Sequence, residues 1–86
     1  MDEQAFQAIK SRLDAELTHA APNAGIGFGR DLWTEFHRRG LLTMKTFSWL
    51  GRSTVLADRL PSYQGKLAFE DFYITEGEFR VGKSSV

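Results

Sequence analysis

The sequence predicts an α+β domain, in which two N-terminal helices pack on one face of a small, mainly antiparallel sheet of three or four strands. Two observations predict this class. Apolar residues recur at spacings of three and four up to Gly40, and strand-forming residues with partial alternation follow it. Helices and strands that are segregated along a chain are typical of α+β folds. The length of 86 residues fits a single domain over residues 1–86.

The first helix is predicted over residues 3–20. Apolar residues from Phe6 to Leu17 lie three or four positions apart, so they share one helical face. Asp2 stands where an N-cap residue is expected. Pro22 disfavours helical geometry in the residue before it, so the helix is expected to end near residues 19–21.

A glycine-rich loop is predicted next, because Gly25, Gly27 and Gly29 alternate with other residues and a helix holds glycine poorly. A second helix is expected from about Arg30 to Arg39. Gly40 then occupies the position after the helix, where glycine is favoured because it adopts a left-handed conformation without strain.

The remaining chain is rich in strand-forming residues. The pair Glu76-Gly77 is typical of a hairpin turn, and it predicts that the last strand pairs with the one before it. The tail over residues 82–86 is expected to fray. The predicted strands cover residues 41–49, 54–60 and 66–75, with a short last strand around Phe79 and Val81.

Composition limits the classes of function. The absence of cysteine excludes disulfides, thiolate metal sites and a cysteine nucleophile, and it favours a reducing compartment. No apolar run approaches the length of a membrane span, and the acidic start Met1-Asp2-Glu3 differs from a signal peptide. A cytoplasmic protein that does not contact membranes is therefore expected. His19 and His37 form no metal-binding or catalytic motif, so neither a cofactor, a metal site nor a catalytic residue is predicted.

The aromatic content favours an interaction module. Seven Phe, two Trp and two Tyr are many rings for the thin core of a short chain, so some are expected on the surface. The alternative is that all of them fit into one core. We expect a homodimer or another protein partner, bound by aromatic anchors with basic residues around them. The predicted partner-binding residues are Trp33, Trp49, Tyr63, Arg38, Arg39 and Arg52.

The glycine segment offers an alternative, since backbone N–H groups before a helix can bind an anion. The predicted ligand-binding residues are Gly25, Gly27, Gly29 and Arg30. The spacing matches neither a dinucleotide-binding fingerprint nor a phosphate-binding loop, and a simple connector between helices is the favoured interpretation of the glycines.

Nucleic-acid binding is a third hypothesis. The middle of the chain is basic and contains aromatic residues that could stack on bases. A net charge of zero disfavours it, because dedicated nucleic-acid binders are strongly basic. The basic residues concerned are Arg30, Arg38, Arg39, Lys45, Arg52, Arg59 and Lys66.

Overall fold

The computed structural model describes residues 1–51 and 54–83, and of residues 49–51 and 83 it describes the backbone alone. Helices and strands alternate in the first half of this part, and strands fill the second half. The elements are α1 (Glu3–Thr18), β1 (Ala24–Phe28), α2 (Arg30–Arg38), β2 (Thr43–Gly51), β3 (Thr54–Tyr63), β4 (Lys66–Glu70) and β5 (Phe79–Lys83).

The α+β class is confirmed, but the sheet differs from the prediction. Its strand order is β2-β3-β4-β1-β5, so the described part holds five strands where three or four were expected. The sheet is mixed, because β1 pairs in parallel with β4 and the other neighbours are antiparallel. Strand β1 also lies between the two helices in the chain, so the helices do not both precede the sheet.

The glycine-rich segment forms strand β1, which lies between β4 and β5 in the sheet, so the prediction of a loop is wrong. Ile26 and Phe28 alternate with the glycines and are fully buried among helical side chains. A Cβ atom on Gly27 would lie 3.1 Å from the Phe69 ring and 3.0 Å from a carboxylate oxygen of Asp71. Position 27 requires glycine because the side chains of Phe69 in β4 and of Asp71 just after β4 lie close to this part of β1.

The C-terminal strands are also arranged differently. The turn at Glu76-Gly77 exists, since the Glu78 N–H donates to the Thr75 carbonyl over 2.9 Å. However, β5 pairs with β1 instead of β4, so this turn does not close a hairpin. Strand β4 ends at Glu70, before the predicted end. Residues 82 and 83 belong to β5, which corrects the expectation of fraying there, and residues 84–86 lie outside the described residues.

The core lies on one face of β1 and takes apolar residues from both helices. The Phe36 ring is central, with its centroid 5.3 Å from that of Phe6 and 4.7 Å from that of Phe28. The predicted cap at Asp2 and the glycine after the second helix are confirmed, whereas α1 ends at Thr18, two residues before the predicted end. The Asp2 carboxylate accepts a hydrogen bond from the Ala5 N–H over 2.7 Å, and Gly40 has a φ of 66°.

Strands β2 and β3 form a long hairpin that leaves the body of the sheet. Their ladder has nine residue pairs, whereas β3 pairs with β4 only through Ser62 and Tyr63. We call residues 44–61 the arm. The Cα atoms have a radius of gyration of 13.4 Å, compared with about 12 Å for a compact domain of this length. The molecule is therefore elongated, with extents of 47 × 25 × 22 Å.

Candidate protein interface

The arm exposes large apolar side chains on both of its faces. Val55 is 69% exposed, and its neighbour Leu56 is 45% exposed. Because successive residues of a strand point to opposite faces, these two side chains cannot both be covered by one layer of the same domain. Met44 is also exposed at the base of the arm. The arm therefore exposes apolar surface to water on both of its faces.

The arm also has two open strand edges. Strand β2 is the last strand of the sheet, and β3 beyond its two pairs with β4 has β2 as its single partner among the described strands. Unpaired edges present N–H and C=O groups that can pair with another chain. A two-stranded ribbon with no further support is marginally stable in water. Both properties favour contact with a second molecule.

The charges of the arm are few. Lys45 donates to the Gly65 carbonyl over 2.9 Å, and its Nζ lies 5.3 Å from the centre of the Phe47 ring. Asp58 pairs opposite Phe47, and Arg59 pairs opposite Thr46. Its described residues carry two cations and one carboxylate, and with Arg52 of the sequence the arm has a net charge of +2.

Tyr63 anchors the base of the arm instead of lying on its surface. The side chain is in the core, and its hydroxyl donates to Asp14 Oδ1 over 2.6 Å. Lys10 donates to the other oxygen of Asp14 over 3.0 Å, and Gln64 shares Oδ1 over 3.0 Å. Tyr63, which was predicted as a partner-binding anchor, is buried in this structure because α1 supplies a carboxylate that accepts from its hydroxyl.

This network shifts two pKa values. Burial is the main cause that raises the pKa of the Tyr63 hydroxyl, and the hydrogen bond to Asp14 raises this pKa further. The hydrogen bond to Asp14 raises the pKa of Lys10. Both groups are therefore held in their protonated forms, which keeps the hydrogen bonds at the base of the arm intact.

A second pair of polar residues closes the base. Ser62 is 1% exposed, and its hydroxyl donates to the Thr43 carbonyl over 2.8 Å. The Thr43 hydroxyl lies 3.2 Å from the same Ser62 oxygen. Side-chain bonds thus reinforce the point where the hairpin joins the body.

The other predicted partner-binding residues do not form one surface with the arm. Trp33 is half-buried in α2, where its ring lies 5.8 Å from Phe28 and 4.5 Å from His37. Trp49 pairs opposite Leu56 in the arm, and its side chain lies outside the description. Arg52 also lies outside the described residues.

Arg38 and Arg39 support the packing of the two helices. The Arg39 guanidinium lies 3.9 Å from the centre of the Phe6 ring, and it binds Glu3 on α1 over 2.5 Å. Arg38 and Arg39 both donate to Glu35 and lower the pKa of that carboxyl. Their charges are therefore already paired within the chain.

The start of α2 has no open cradle for an anion. The N–H groups of Asp31 and Leu32 donate to the Glu76 carbonyl over 2.9 and 3.1 Å. The Gly29 N–H donates to the Glu78 carbonyl over 2.8 Å, and a Cβ on Gly29 would lie 2.1 Å from the Thr75 carbonyl oxygen. The carbonyl groups of the β4–β5 connection thus occupy the donors that an anion would use.

The β4–β5 connection carries a second exposed aromatic pair. Phe72 is 80% exposed and Tyr73 is 94% exposed. The buried Asp71 holds this segment, because its carboxylate accepts from the Tyr73 N–H over 2.9 Å and from Arg80 over 2.5 Å. A pocket of about 160 Å³ adjoins it, lined by Arg30, Glu70, Asp71, Phe72, Ile74 and Glu76.

The basic residues of the middle segment are dispersed. Arg30 begins α2 and Arg38 ends it, while Lys45 and Arg59 belong to the arm. Lys66 in β4 donates to the Pro22 carbonyl over 3.5 Å. The structure does not bring the described members of this set into one strip along which a phosphate backbone could run.

The sequence analysis missed several exposed apolar residues, in the arm and in the β4–β5 connection. Val55, Leu56 and Ala57 are three successive apolar residues in one strand, and this pattern places apolar groups on both faces. It could have shown that the strand is not half-buried in the usual way. No comparable signal marks Phe72 and Tyr73, because their exposure depends on where β4 ends.

Comparison with known proteins assigns no relationship. No family model, no curated protein and no solved structure matches this chain. Within residues 1–51 and 54–83, no His, Asp and Glu side chains are grouped in a way that could hold a metal ion. None of the helices in this part is long and apolar enough to cross a membrane.

Proposed function

We propose that this chain is an interaction module that self-associates through its arm. One observation carries the proposal: a hairpin of nine residue pairs leaves the body after only two pairs with β4, and it exposes Val55 and Leu56 on opposite faces. A second copy can cover such a surface and pair with its open edges.

The base of the arm supports this proposal. Tyr63 attaches the hairpin to the body by its hydrogen bond to Asp14, and Ser62 joins the two strands of the hairpin at its base by its bond to Thr43. A hairpin attached in this way is presented in a defined direction, so less conformational entropy is lost when it binds. These hydrogen bonds hold the base of the hairpin, and they thereby fix the direction in which the apolar residues of the arm are presented.

Self-association is favoured over anion binding and nucleic-acid binding, because residues on which those two hypotheses depend already have partners within the chain. The donors near Gly29 are used by the carbonyls of Glu76 and Glu78, which leaves little for an anion. Arg38 and Arg39 are paired with carboxylates of their own chain, and this weakens a nucleic-acid surface. Among the residues that the structure describes, those of the arm combine exposed apolar area with open edges.

Light scattering coupled to size-exclusion chromatography tests the proposal, from micromolar to millimolar concentration. We expect the wild-type mass to rise to twice the chain mass of 9.7 kDa. The double substitution Thr46→Asp and Ser48→Asp places two charges on strand β2 of the arm, so this variant should remain a monomer. Both side chains are exposed, so the fold should persist, and circular dichroism checks this.

Ala15→Asp is the matched control, because it adds the same charge at an exposed position of α1. This variant should associate like the wild type. A wild-type chain that stays monomeric at all concentrations would contradict self-association. If the arm variant still dimerises while Phe72→Asp does not, the interface belongs to the β4–β5 connection and not to the arm.

A further inference from the structure

Strand β2 is the one long and weakly protected edge of the described sheet. Natural proteins protect sheet edges with short strands, charges and proline. The opposite edge strand, β5, has five residues and includes Arg80 and Lys83. The free edge of β3 contains Asp58, Arg59 and Pro61. In contrast, β2 has nine residues, no proline and Lys45 as its only charge.

The single charge of β2 is also held away from most of the edge. Lys45 Nζ donates to the Gly65 carbonyl at the base of the hairpin, over 2.9 Å. Residues 46–51 therefore form an uncharged open edge. Such an edge pairs readily with another strand of similar chemistry.

We propose that two copies of this chain join their β2 edges antiparallel across a two-fold axis that passes through Phe47. This inference rests on the proposed self-association and names its geometry. A two-fold axis makes the same surface of both copies meet, and it makes the two strands run in opposite directions. The two sheets then continue into one another.

The register follows from the length and the chemistry of β2. Phe47 is the middle residue of Thr43–Gly51, so an axis at Phe47 is the only one that pairs all nine residues. This register places Phe47 opposite Phe47 of the second copy. Two further pairs match by type, with Met44 opposite Leu50 and Thr46 opposite Ser48, while Lys45 lies opposite Trp49 and Thr43 opposite Gly51. Aromatic, apolar and hydroxyl pairs of this kind stabilise antiparallel strands.

Neighbouring registers lack these properties. An axis at Thr46 places Met44 opposite Ser48, and an axis at Ser48 places Thr46 opposite Leu50. An axis at Lys45 places two lysines opposite each other, which is destabilising. The register at Phe47 joins the longest ladder without a charge clash.

Disulfide crosslinking tests this geometry cleanly, because the natural chain contains no cysteine. Phe47→Cys should form a disulfide dimer rapidly under mild oxidation. Directly opposite residues of antiparallel strands have Cα atoms about 4.5–5.5 Å apart, within reach of a disulfide. Ala57→Cys is the matched control on β3. Its two copies would be more than about 14 Å apart, because three strand spacings separate them, and this is too far for a disulfide.

A mixture of two variants keeps Phe47 and tests the register. Thr46→Cys and Ser48→Cys chains, combined in equal amounts, should yield mainly the mixed disulfide, identified by its mass. Each variant alone should crosslink slowly, because its two thiols would be separated along the strands. Preferential crosslinking at Ala57→Cys, or equal rates at all positions in a chain that still dimerises, would overturn the edge pairing and leave self-association intact. A monomer in light scattering would instead reject both proposals.

Discussion

The hydroxyl of Tyr63 donates a hydrogen bond of 2.6 Å to Oδ1 of Asp14, and it thereby joins the last residue of β3 to α1. The two residues are 49 positions apart in the chain. Because β3 has just two pairs with β4, this bond is a main attachment of the arm to the body. The contact therefore links the stability of the fold to the presentation of the arm.

Tyr63→Phe should lower the free energy of unfolding by about 1.5 kcal/mol, since it removes a hydrogen bond to a charged group while the ring stays packed. Urea unfolding measures the change. Gln64→Ala is the matched control, because Gln64 donates to the same oxygen from an exposed position. The control should cost about 0.5 kcal/mol or less. Equal losses in the free energy of unfolding would show that the hydrogen bond of the Tyr63 hydroxyl contributes no more than that of Gln64.

The stability of the wild type should decrease in alkali. The pKa of Tyr63 is raised in the fold, mainly by burial, so the folded chain holds this proton more tightly than the unfolded chain. The resulting stabilisation is complete below the ordinary tyrosine pKa of 10.0 and is lost as the pH rises through the higher folded-state pKa. The raised pKa of Lys10 acts in the same direction.

Unfolding in urea at a series of pH values from about 8 to 11 measures this loss. Tyr63→Phe lacks the titrating phenol and retains Lys10, so its stability should fall less steeply over the same range. Parallel curves for the two proteins would contradict the assignment of the alkaline loss to Tyr63.

Gly29→Ala should destabilise the fold strongly. The added Cβ would lie 2.1 Å from the Thr75 carbonyl oxygen and 2.6 Å from that of Glu76, and backbone atoms cannot yield cheaply. We expect a loss of more than about 3 kcal/mol, measured by thermal and urea unfolding.

Gly82→Ala is the control for Gly29→Ala, because a Cβ at that position meets no atom within 4 Å. It should change stability by no more than about 0.5 kcal/mol. If Gly29→Ala were as stable as the wild type, the β4–β5 connection would not approach Gly29 as closely as the structure shows.

Asp71→Ala should loosen the segment that carries Phe72 and Tyr73. It removes the acceptor of the Tyr73 N–H and should cost about 2 kcal/mol. Amide hydrogen exchange at Tyr73 should become faster. Arg80→Ala removes the ion pair but keeps this acceptor, so Tyr73 should retain its protection in that variant. Loss of protection in Arg80→Ala as well would assign the order of the segment to the ion pair.

Local sequence determined the helices of this protein. The spacing of apolar residues, the Asp2 cap and the left-handed Gly40 all act within a few residues, so they could be interpreted from the sequence directly. The class and the paired strands β2 and β3 followed from the change of period after Gly40. The sequence also indicated that the short chain has aromatic residues to spare.

Tertiary structure decided the identity of β1. Gly25 and Gly27 have low strand propensity, and their neighbours alone favour a loop. The segment becomes a strand because β4 and β5 pair with both of its edges, and because Phe69 and Asp71 occupy the space above Gly27. These partners lie more than forty residues away in the chain, so no local pattern could reveal them.

The candidate interface was decided in the same way. Tyr63 lies in the core because α1 supplies the partly buried Asp14 as an acceptor for its hydroxyl, and Arg39 forms ion pairs with Glu3 and Glu35. The arm leaves the body because β3 is ten residues long and meets the five-residue β4 at only two of them. Composition could show a surplus of apolar surface, but the register between distant strands decided which residues are exposed.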